Sequence, residues 1–532
     1  MSGLEKSFAA YAEAQLARVL TQMDRDPDSP TFGCFDRNHW HYKMRDFASA
    51  VLQQGLFTLE AVRAGHLAAQ ASREITESWC VAAVNDLSAR VGPTGGVDEY
   101  YPFERSYPAT AFSLRAAARV LLNWREQAPH LLEGVRWPGL RRLSAHVAGR
   151  AETRASNQQA AGLAGLALAE KIEAMAPPRG SVERHAEKFF ASQHPEGWFD
   201  EYGGPDFGYL TVTLDALADY FDATGDGRAQ AATDRAVSFL ASLLGADGEL
   251  PWTLNARNTD YVVPYGLVRA GARNPLAAWL VEALFGGLGE PGHFLSATDD
   301  RYHAHYIFAS LVRCLPHLAA MVAGEAPETP ETLWLEGAGF WLRRGREGDW
   351  TAFAGARKGG VLRIHRCGGP PVLDHGWRIR EGRALWTTNW QSDAWRAEAD
   401  ADSLRVTGPT HAVGAHRPGP VRHMALRVLA LLLHERLTPL LKKMLIFRPG
   451  SARGPRFERA IRAEGGGLRV ADGIEARPGA VAQPSPRQNL RHVASAGGFS
   501  PEEWLPPLAG GGPRPLDSGL SEEYVWPPGS GN

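Results

Sequence analysis

The sequence predicts a multidomain α and β protein, with a helical domain over residues 1–326 and an antiparallel β-rich domain over 327–504. Up to about residue 323, apolar side chains recur with the 3.6-residue period of helices. After Ala326-Pro-Glu-Thr-Pro330 the apolar side chains alternate with polar ones, and glycines stand where the chain would turn, as in β-hairpins. The chain of 532 residues has room for about three units, and the Pro-, Gly- and Ser-rich segment 505–532 is predicted to be a disordered tail.

The helical part alternates between charged amphipathic segments and segments richer in small and apolar residues. The charged segments are 4–23, 66–91, 130–149, 180–193, 227–244 and 274–286. The apolar segments are 40–62, 107–122, 156–172, 208–222, 260–271 and 302–322. Helical hairpins of this kind bury their apolar members when they close into a ring. We therefore predict an (α/α)6 toroid with the apolar helices inside.

A polar, aromatic-rich loop precedes each predicted inner helix. These loops are 35–43, 98–105, 154–159, 200–209, 255–261 and 299–306. In a closed ring the starts of all inner helices face the same end, so the loops are expected to converge on one cleft. The stretch Glu196–Leu210 has the most site-like composition, with four carboxylates, two tyrosines and a tryptophan, although Asp206 could simply cap the next helix.

Composition excludes several classes of protein. The formal net charge is −2, from 57 basic and 59 acidic residues, so no global field attracts nucleic acid, and we expect no nucleic-acid partner. The four cysteines are far apart, which argues against a zinc knuckle and against a disulfide framework. The N-terminus lacks an apolar signal core, and no run reaches the roughly 18 apolar residues of a membrane span, so we expect a cytoplasmic location.

One Leu-rich helical segment, about 420–447, interrupts the β-rich domain. It carries basic residues throughout, including Arg422, Arg427, Lys442 and Lys443. We expect it to pack on the sheet; membrane contact through 420–447 is the less favoured alternative.

The potential metal ligands of the β-rich domain, His365, Cys367, Asp374 and His375, match no zinc-binding spacing. In the N-terminal loop, the imidazoles of His39 and His41 stand two residues apart and do not share a helical face. We therefore expect no metal and no cofactor.

The loop motifs resemble those of the heparinase II/III-like (alginate lyase-like) polysaccharide lyase superfamily, in the branch associated with bacterial surface-polysaccharide loci. The motifs are Cys34–Lys43, Ser156-Asn-Gln158, Gly197–Asp206, Arg257–Tyr261 and Asp300–Tyr306. The resemblance covers about residues 30–500 and implies an (α/α) toroid followed by an antiparallel β-sandwich. It departs from the family where characterised lyases carry an Asn-Asn-His-type motif, because Ser156-Asn-Gln158 has no histidine.

The resemblance implies β-elimination on an acidic, uronic-acid-containing oligo- or polysaccharide or a related glycoconjugate. Such a site must neutralise the uronate carboxylate, which is worth ~3–4 kcal/mol per donor, and must supply a base and an acid. In an α-helix, Tyr302 shares a face with His305 and Tyr306, whereas His303 is rotated away. The residues we assign to catalysis are His305, Tyr261, Tyr302, Asn157 and Arg257.

Other polar and aromatic residues of the six loops are assigned to substrate binding, with Trp40 or Tyr42 stacking on a sugar ring. They are Asp36, Arg37, His39, Trp40, Tyr101, Glu104, Gln158, Glu201, Tyr202, Asp206, Tyr209, Asn258 and Tyr306. Two alternatives remain open. One is a glycoside hydrolase that uses a carboxylate pair drawn from Glu99, Glu104, Asp200, Glu201 and Asp206. The other is a non-catalytic glycan-binding protein of polysaccharide biosynthesis.

Overall fold

The computed structural model describes residues 2–67, 70–152, 154–345, 347–414, 419–441, 451–488, 499, 501–505, 508 and 511–527. Up to residue 320 the regular structure is helical. The α-helices there are α1 (Gly3–Leu20), α2 (Arg37–Trp40), α3 (Leu56–Arg63), α4 (Arg73–Arg90), α5 (Tyr107–Gln127), α6 (Trp137–Ala148), α7 (Ser156–Glu170), α8 (Ser181–Phe190), α9 (Phe207–Thr224), α10 (Gly227–Ser242), α11 (Tyr265–Gly271), α12 (Pro275–Phe285), α13 (Asp300–Tyr302) and α14 (Phe308–Cys314). Within the described ranges, no helix combines the length and apolar content needed to cross a bilayer.

The helices close into a ring. The inner helices α3, α5, α7, α9, α11 and α14 each contact the next, and α14 returns to contact α3. Their outer partners are α4, α6, α8, α10, α12 and α1, in the same order. Composition explains why α7 lies in the inner layer of the ring, because it consists mostly of Ala, Gly and Leu and is buried along most of its length. Gly165 lets it approach Leu114 of α5 closely. The predicted (α/α)6 toroid is confirmed.

The β part consists of two antiparallel sheets. Among the described residues, one sheet is β1 (Thr332–Leu335), β2 (Phe340–Arg344), β3 (Trp350–Gly355), β4 (Val361–Arg366) and β5 (Gly369–Asp374). The other comprises β6 (Trp377–Glu381), β7 (Ala384–Thr387), β8 (Arg396–Ala399), β9 (Ser403–Ala412), β10 (Ala452–Glu464), β11 (Gly467–Ile474), β12 (Ala480–Pro484), β13 (Arg514–Pro515) and β14 (Leu520–Trp526). Inward-facing residues of both sheets, such as Ile364 and Ile461, share one core, so the predicted sandwich is confirmed.

The prediction of a disordered tail over 505–532 is wrong for its described residues. Strand β14 pairs antiparallel with β11, placing Trp526 opposite Leu468. Trp526 is buried, and its ring meets that of Trp350 edge-on at 5.3 Å. In Leu520–Trp526 apolar and polar side chains alternate, as in a strand, but the segment is short and lies among many Pro and Gly residues. The prediction of disorder rested on the abundance of those residues.

The helical insertion does form helices, α15 (Pro420–Leu433) and α16 (Leu437–Leu441). Among the described elements, α15 makes no extensive contact with either sheet, in contrast to the expected packing. In α15 only Ala430 is buried. Ion pairs connect the insertion to the toroid instead, from Arg427 to Asp46 at 2.6 Å and from Glu435 to Arg150 at 2.5 Å. Lys442 and Lys443 lie outside the described residues.

The β part is packed against the toroid through apolar and polar contacts. Phe340 of β2 meets the rings of Phe207 and Phe239 at 6.1 and 6.4 Å. Glu196 accepts hydrogen bonds from the backbone N–H groups of residues 337 and 338 at 2.8 and 2.9 Å. Because Glu196 and Phe207 flank the loop 200–206, these contacts with the β part hold both ends of the loop in place.

Candidate active site

Hydrogen bonds and ring contacts join the loops that precede the inner helices. The N–H of Ala50 donates to the carbonyl of Asp98 at 2.9 Å, and the residue Ala155 forms an antiparallel bridge with Glu201. The rings of Tyr261 and Tyr302 lie 6.0 Å apart. These contacts join the six loops in three pairs, and because each loop precedes an inner helix of the closed ring, the pairs lie at the same end of the toroid.

The loops carry backbone strain. Among the described residues, six non-glycine residues have positive φ, and five of them lie in or next to these loops: Lys43, Phe103, Arg105, Tyr202 and Asn258, with φ between 52° and 64°. A left-handed conformation is costly for residues with a Cβ atom and persists where the surroundings impose it. Such strain is typical of a functional site.

Glu201 holds two loops together. Its carboxylate accepts the backbone N–H of Asn157 at 2.7 Å and the side-chain amide of Asn157 at 2.8 Å. Burial raises the pKa of Glu201 well above its usual value. Asn157 is therefore engaged with Glu201, which differs from the expectation that its amide faces the substrate.

The other predicted acidic residues also bind loop backbone. Asp206 caps α9 and accepts the N–H groups of Tyr209 and Arg257 at 3.2 and 3.0 Å. Glu104 accepts the N–H of Tyr100 at 2.8 Å, and burial, reinforced by nearby negative charge, raises its pKa to about 8.

Asp36 is 1% exposed and is held by Arg45 and by the N–H of Ser49, each at 2.7 Å. Like Asp206 and Glu104, it is satisfied by protein groups. These carboxylates fix the loops, because protein donors occupy their oxygens.

Arg257 is the buried cation of the site. Its side chain is 6% exposed, and the guanidinium carbon lies 4.2 Å above the ring of Tyr202. Its Nε and Nη1 atoms are buried and have no hydrogen-bond partner among the described residues. Unpaired buried donors of this kind match an anionic ligand.

Three tyrosines, Tyr261, Tyr302 and Tyr306, form a group of neighbouring rings in the same loops. Tyr261 is 1% exposed, and its hydroxyl has no hydrogen-bond partner among the described residues. Tyr302 stacks on Tyr306 with ring centroids 5.6 Å apart. Burial raises the pKa of Tyr261 well above its usual value and that of Tyr302 in the same direction, so both phenols are protonated at neutral pH.

The two histidines of the last inner helix have different surroundings. His303 hydrogen-bonds Tyr11 of α1 at 3.0 Å, on the outer side. His305 lies 5.7 Å from the ring of Tyr302, and neither of its ring nitrogens has a hydrogen-bond partner among the described residues. Burial and the charge of Arg301 lower its pKa well below the usual value, so the imidazole is neutral. Residues 303–307 form a π-helix, a distortion that is frequent at functional sites.

A cavity of about 540 Å³ opens beside His305. The predicted site residues Asp36, Arg37 and His305 line it, together with Arg301. Asn157, Tyr202, Arg257 and Tyr261 do not line this cavity; they lie in the neighbouring loops, joined to it through Tyr302.

The remaining predicted ligands lie in the same loops, at the edge of the site. The ring nitrogen Nδ1 of His39 hydrogen-bonds the carbonyl of Arg45 at 3.0 Å, and the Trp40 indole donates to the carbonyl of Gln22 at 2.8 Å. The amide of Gln158 donates to the Tyr202 hydroxyl at 3.2 Å. Tyr101, Tyr209 and Tyr306 are half-buried.

Sequence reasoning missed Arg301 and Lys358. Arg301 donates to Ser49 at 3.1 Å, and its Nε is buried without a partner among the described residues. Its position directly before Tyr302 was the feature of the sequence that could have identified Arg301 as a site residue. Lys358 comes from the β part and donates to the side chain of Asn258 at 2.5 Å, a contact across the domain interface for which the sequence holds no signal.

At the same interface, Asp247, Glu249 and His365 bring ligand atoms within 4.8 Å of one another. His365 Nδ1 hydrogen-bonds Asp247 at 2.6 Å, and Arg363 donates to His365 Nε2 at 3.0 Å. Both ring nitrogens are therefore used, and Arg363 also lies 3.2 Å from Glu249. The residues fit an ion-paired interface.

The comparisons with known proteins identify the fold. The chain is similar to a mutant chondroitin AC lyase of Streptomyces coelicolor A3, with 12% identity, a TM-score of 0.52, and coverage of 90% of this chain and 70% of that one. Weaker likenesses are to another chondroitinase AC lyase (10% identity, TM-score 0.41, coverage 90% and 68%) and to heparinase III (13%, 0.22, coverage 91% and 79%). TM-scores below 0.5 do not by themselves establish a common fold.

No family model and no curated protein matches the sequence. At these identities a structural likeness establishes the fold alone. The chain therefore shares the fold of that chondroitin AC lyase, a helical toroid followed by antiparallel sheets.

Proposed function

We propose that the protein is a lyase that cleaves a uronate-containing oligo- or polysaccharide by β-elimination at the loop end of the toroid. The polysaccharide-lyase fold supports a substrate of this class. In the reaction a base removes the proton next to the uronate carboxylate. The electron pair forms a carbon–carbon double bond, the bond to the C4 oxygen breaks, and that oxygen receives a proton.

The single observation that carries the proposal is that two buried donors of the Arg257 guanidinium, Nε and Nη1, have no hydrogen-bond partner among the described residues. Removal of the proton places negative charge on the uronate carboxylate, and a cation or amide must neutralise it. Arg257 offers two buried donors with no partner among the described residues, held in place by the ring of Tyr202. A planar fork of donors suits a planar carboxylate.

The protonation states suggest how the proton is transferred. His305 is neutral, so its imidazole can accept the proton next to the carboxylate. Tyr261 and Tyr302 are protonated, so either phenol can donate a proton to the leaving oxygen. Arg301 lies on the cavity wall beside His305, where its charge keeps the imidazole neutral.

The hydrolase alternative has less support. A hydrolase needs two carboxyl groups that face the scissile bond. Glu201, Asp206 and Glu104 are 1–3% exposed and accept backbone N–H groups of their own loops.

The test is ultraviolet absorbance during incubation with a panel of uronate polysaccharides, together with detection of new reducing ends. Elimination gives both signals, hydrolysis gives reducing ends only, and binding alone gives neither. His305→Gln should lower the rate by about 10²-fold or more. His303→Gln is the matched control, since His303 is buried on the same helix but bonds Tyr11 outside the cleft. Equal loss in both variants would contradict the proposal.

A further inference from the structure

The helix α15 exposes an unusual amount of apolar surface. The helix is Leu-rich, yet four of its large apolar side chains are largely exposed: Val421 (78%), Met424 (68%), Val428 (56%) and Leu432 (71%). A helix of this composition normally buries its apolar face. Here the buried position is Ala430, Leu426 and Leu433 are half-buried, and the other large apolar side chains are exposed.

The side chains of α15 are distributed in an ordered way around the helix axis. At about 100° per residue, the exposed apolar side chains occupy an arc of about 160°. This apolar arc consists of Val421, Met424, Val428, Leu429, Leu431 and Leu432. Ala430 lies opposite the middle of the arc. Arg422 flanks one side of the arc and Arg427 the other, and the helix has no acidic residue.

The ion pair between Arg427 and Asp46 fixes the rotation of α15 about its axis, and so determines which way the apolar arc faces. It joins α15 to the segment that follows the loop 35–43, with Arg427 and Asp46 2.6 Å apart. Glu435, just after the helix, is anchored to Arg150. The insertion is therefore fastened to the loop end of the toroid by its polar side chains, while the apolar arc faces outward.

We propose that α15 is a docking helix for an anionic lipid surface. A helix that lies in the plane of a membrane buries an apolar arc at the boundary between headgroups and acyl chains, and basic residues at its flanks reach the phosphates. The apolar arc, Arg422 at its flank and the absence of acidic residues in α15 match that arrangement, while Arg427 is held by Asp46. Docking through α15 brings a membrane next to the loops of the candidate site, where it could present a membrane-attached sugar chain.

The experiment is sedimentation of the full chain with vesicles of phosphatidylcholine, alone or mixed with phosphatidylglycerol. We expect binding to the mixed vesicles that weakens at high salt and is at least about tenfold weaker to the neutral vesicles. The double variant Met424→Glu/Leu432→Glu should bind at least about tenfold more weakly. Ile75→Glu is the matched control, because Ile75 is 52% exposed on the outer helix α4 and should leave binding unchanged.

The substituted residues are exposed, so the variants should fold, and circular dichroism checks this. Absence of vesicle binding by the wild type overturns the proposal. Equal binding by the double variant also overturns it. A concentration-dependent dimer that the double variant abolishes, without vesicle binding, assigns the apolar arc to a second copy of the chain and overturns it as well.

Discussion

Replacement of Arg257 by methionine tests whether the buried guanidinium serves a ligand or the fold. In the ligand-free protein, each of its two unpaired donors costs about 1–3 kcal/mol of desolvation. The contact with the Tyr202 ring at 4.2 Å returns about 0.5–2 kcal/mol. The balance predicts that Arg257→Met leaves the free energy of unfolding unchanged or raises it, by up to about 5 kcal/mol.

Arg459→Met is the matched control, since Arg459 is a buried arginine whose guanidinium is paired. It donates to Asp472 at 2.7 and 2.6 Å and to the carbonyl of Gly360 at 3.0 Å, and it lies 2.9 Å from Asp374. Its removal leaves two buried carboxylates without their partner, which should cost about 3–5 kcal/mol.

The assay has two measurements. Urea unfolding followed by circular dichroism gives the free energies of unfolding, and titration calorimetry with a uronate oligosaccharide gives the affinity. We expect Arg257→Met to keep or gain stability while affinity falls by about 10²-fold or more. A loss of stability as large as that of Arg459→Met would show that Arg257 is structural and would refute the role in carboxylate binding.

The remaining predictions concern single groups. Tyr261→Phe removes an unpaired hydroxyl, so the melting temperature should hold while turnover falls by about 10²-fold or more. Asp206→Asn weakens an N-cap, so we expect a loss of about 1–2 kcal/mol in unfolding free energy with much of the turnover kept; abolished turnover would favour a hydrolase. His365 has its folded pKa lowered to about 4 by burial, so the unfolded state binds more protons between about pH 4 and 6.5. Stability should therefore fall as pH falls through that window, by at most about 3 kcal/mol from this group. His365→Gln should flatten the profile of urea midpoint against pH.

The ring of helices could be predicted because its signals are local and repeated. Each inner helix has its own run of small and apolar residues, and each is preceded by its own polar loop. The starts of helices in a closed ring share one end, so the position of the loops followed from topology alone. For example, Asn157 and Glu201, 44 residues apart in sequence, were assigned to the same end of the toroid and are in direct contact.

The roles of individual side chains could not be predicted in the same way, because they depend on pairing across space. A carboxylate in a loop has the same sequence signature whether it binds a sugar or a backbone amide. Asp206 and Glu201 bind amides, and this is visible only once the loops are folded. The exposure of α15 was missed for a related reason: a Leu-rich period predicts an apolar face and does not say which surface covers it.

The buried carboxylates and the buried donors of the loops differ in whether protein groups already bind them, and this difference argues for an anionic substrate. The buried acids Glu201, Asp206 and Glu104 are satisfied within the loops. Among the described residues, the groups without a hydrogen-bond partner include Nε and Nη1 of Arg257 and the hydroxyl of Tyr261, which donate hydrogen bonds. Open donors of this kind favour an acceptor-rich, negatively charged group, and a uronate carboxylate is such a group.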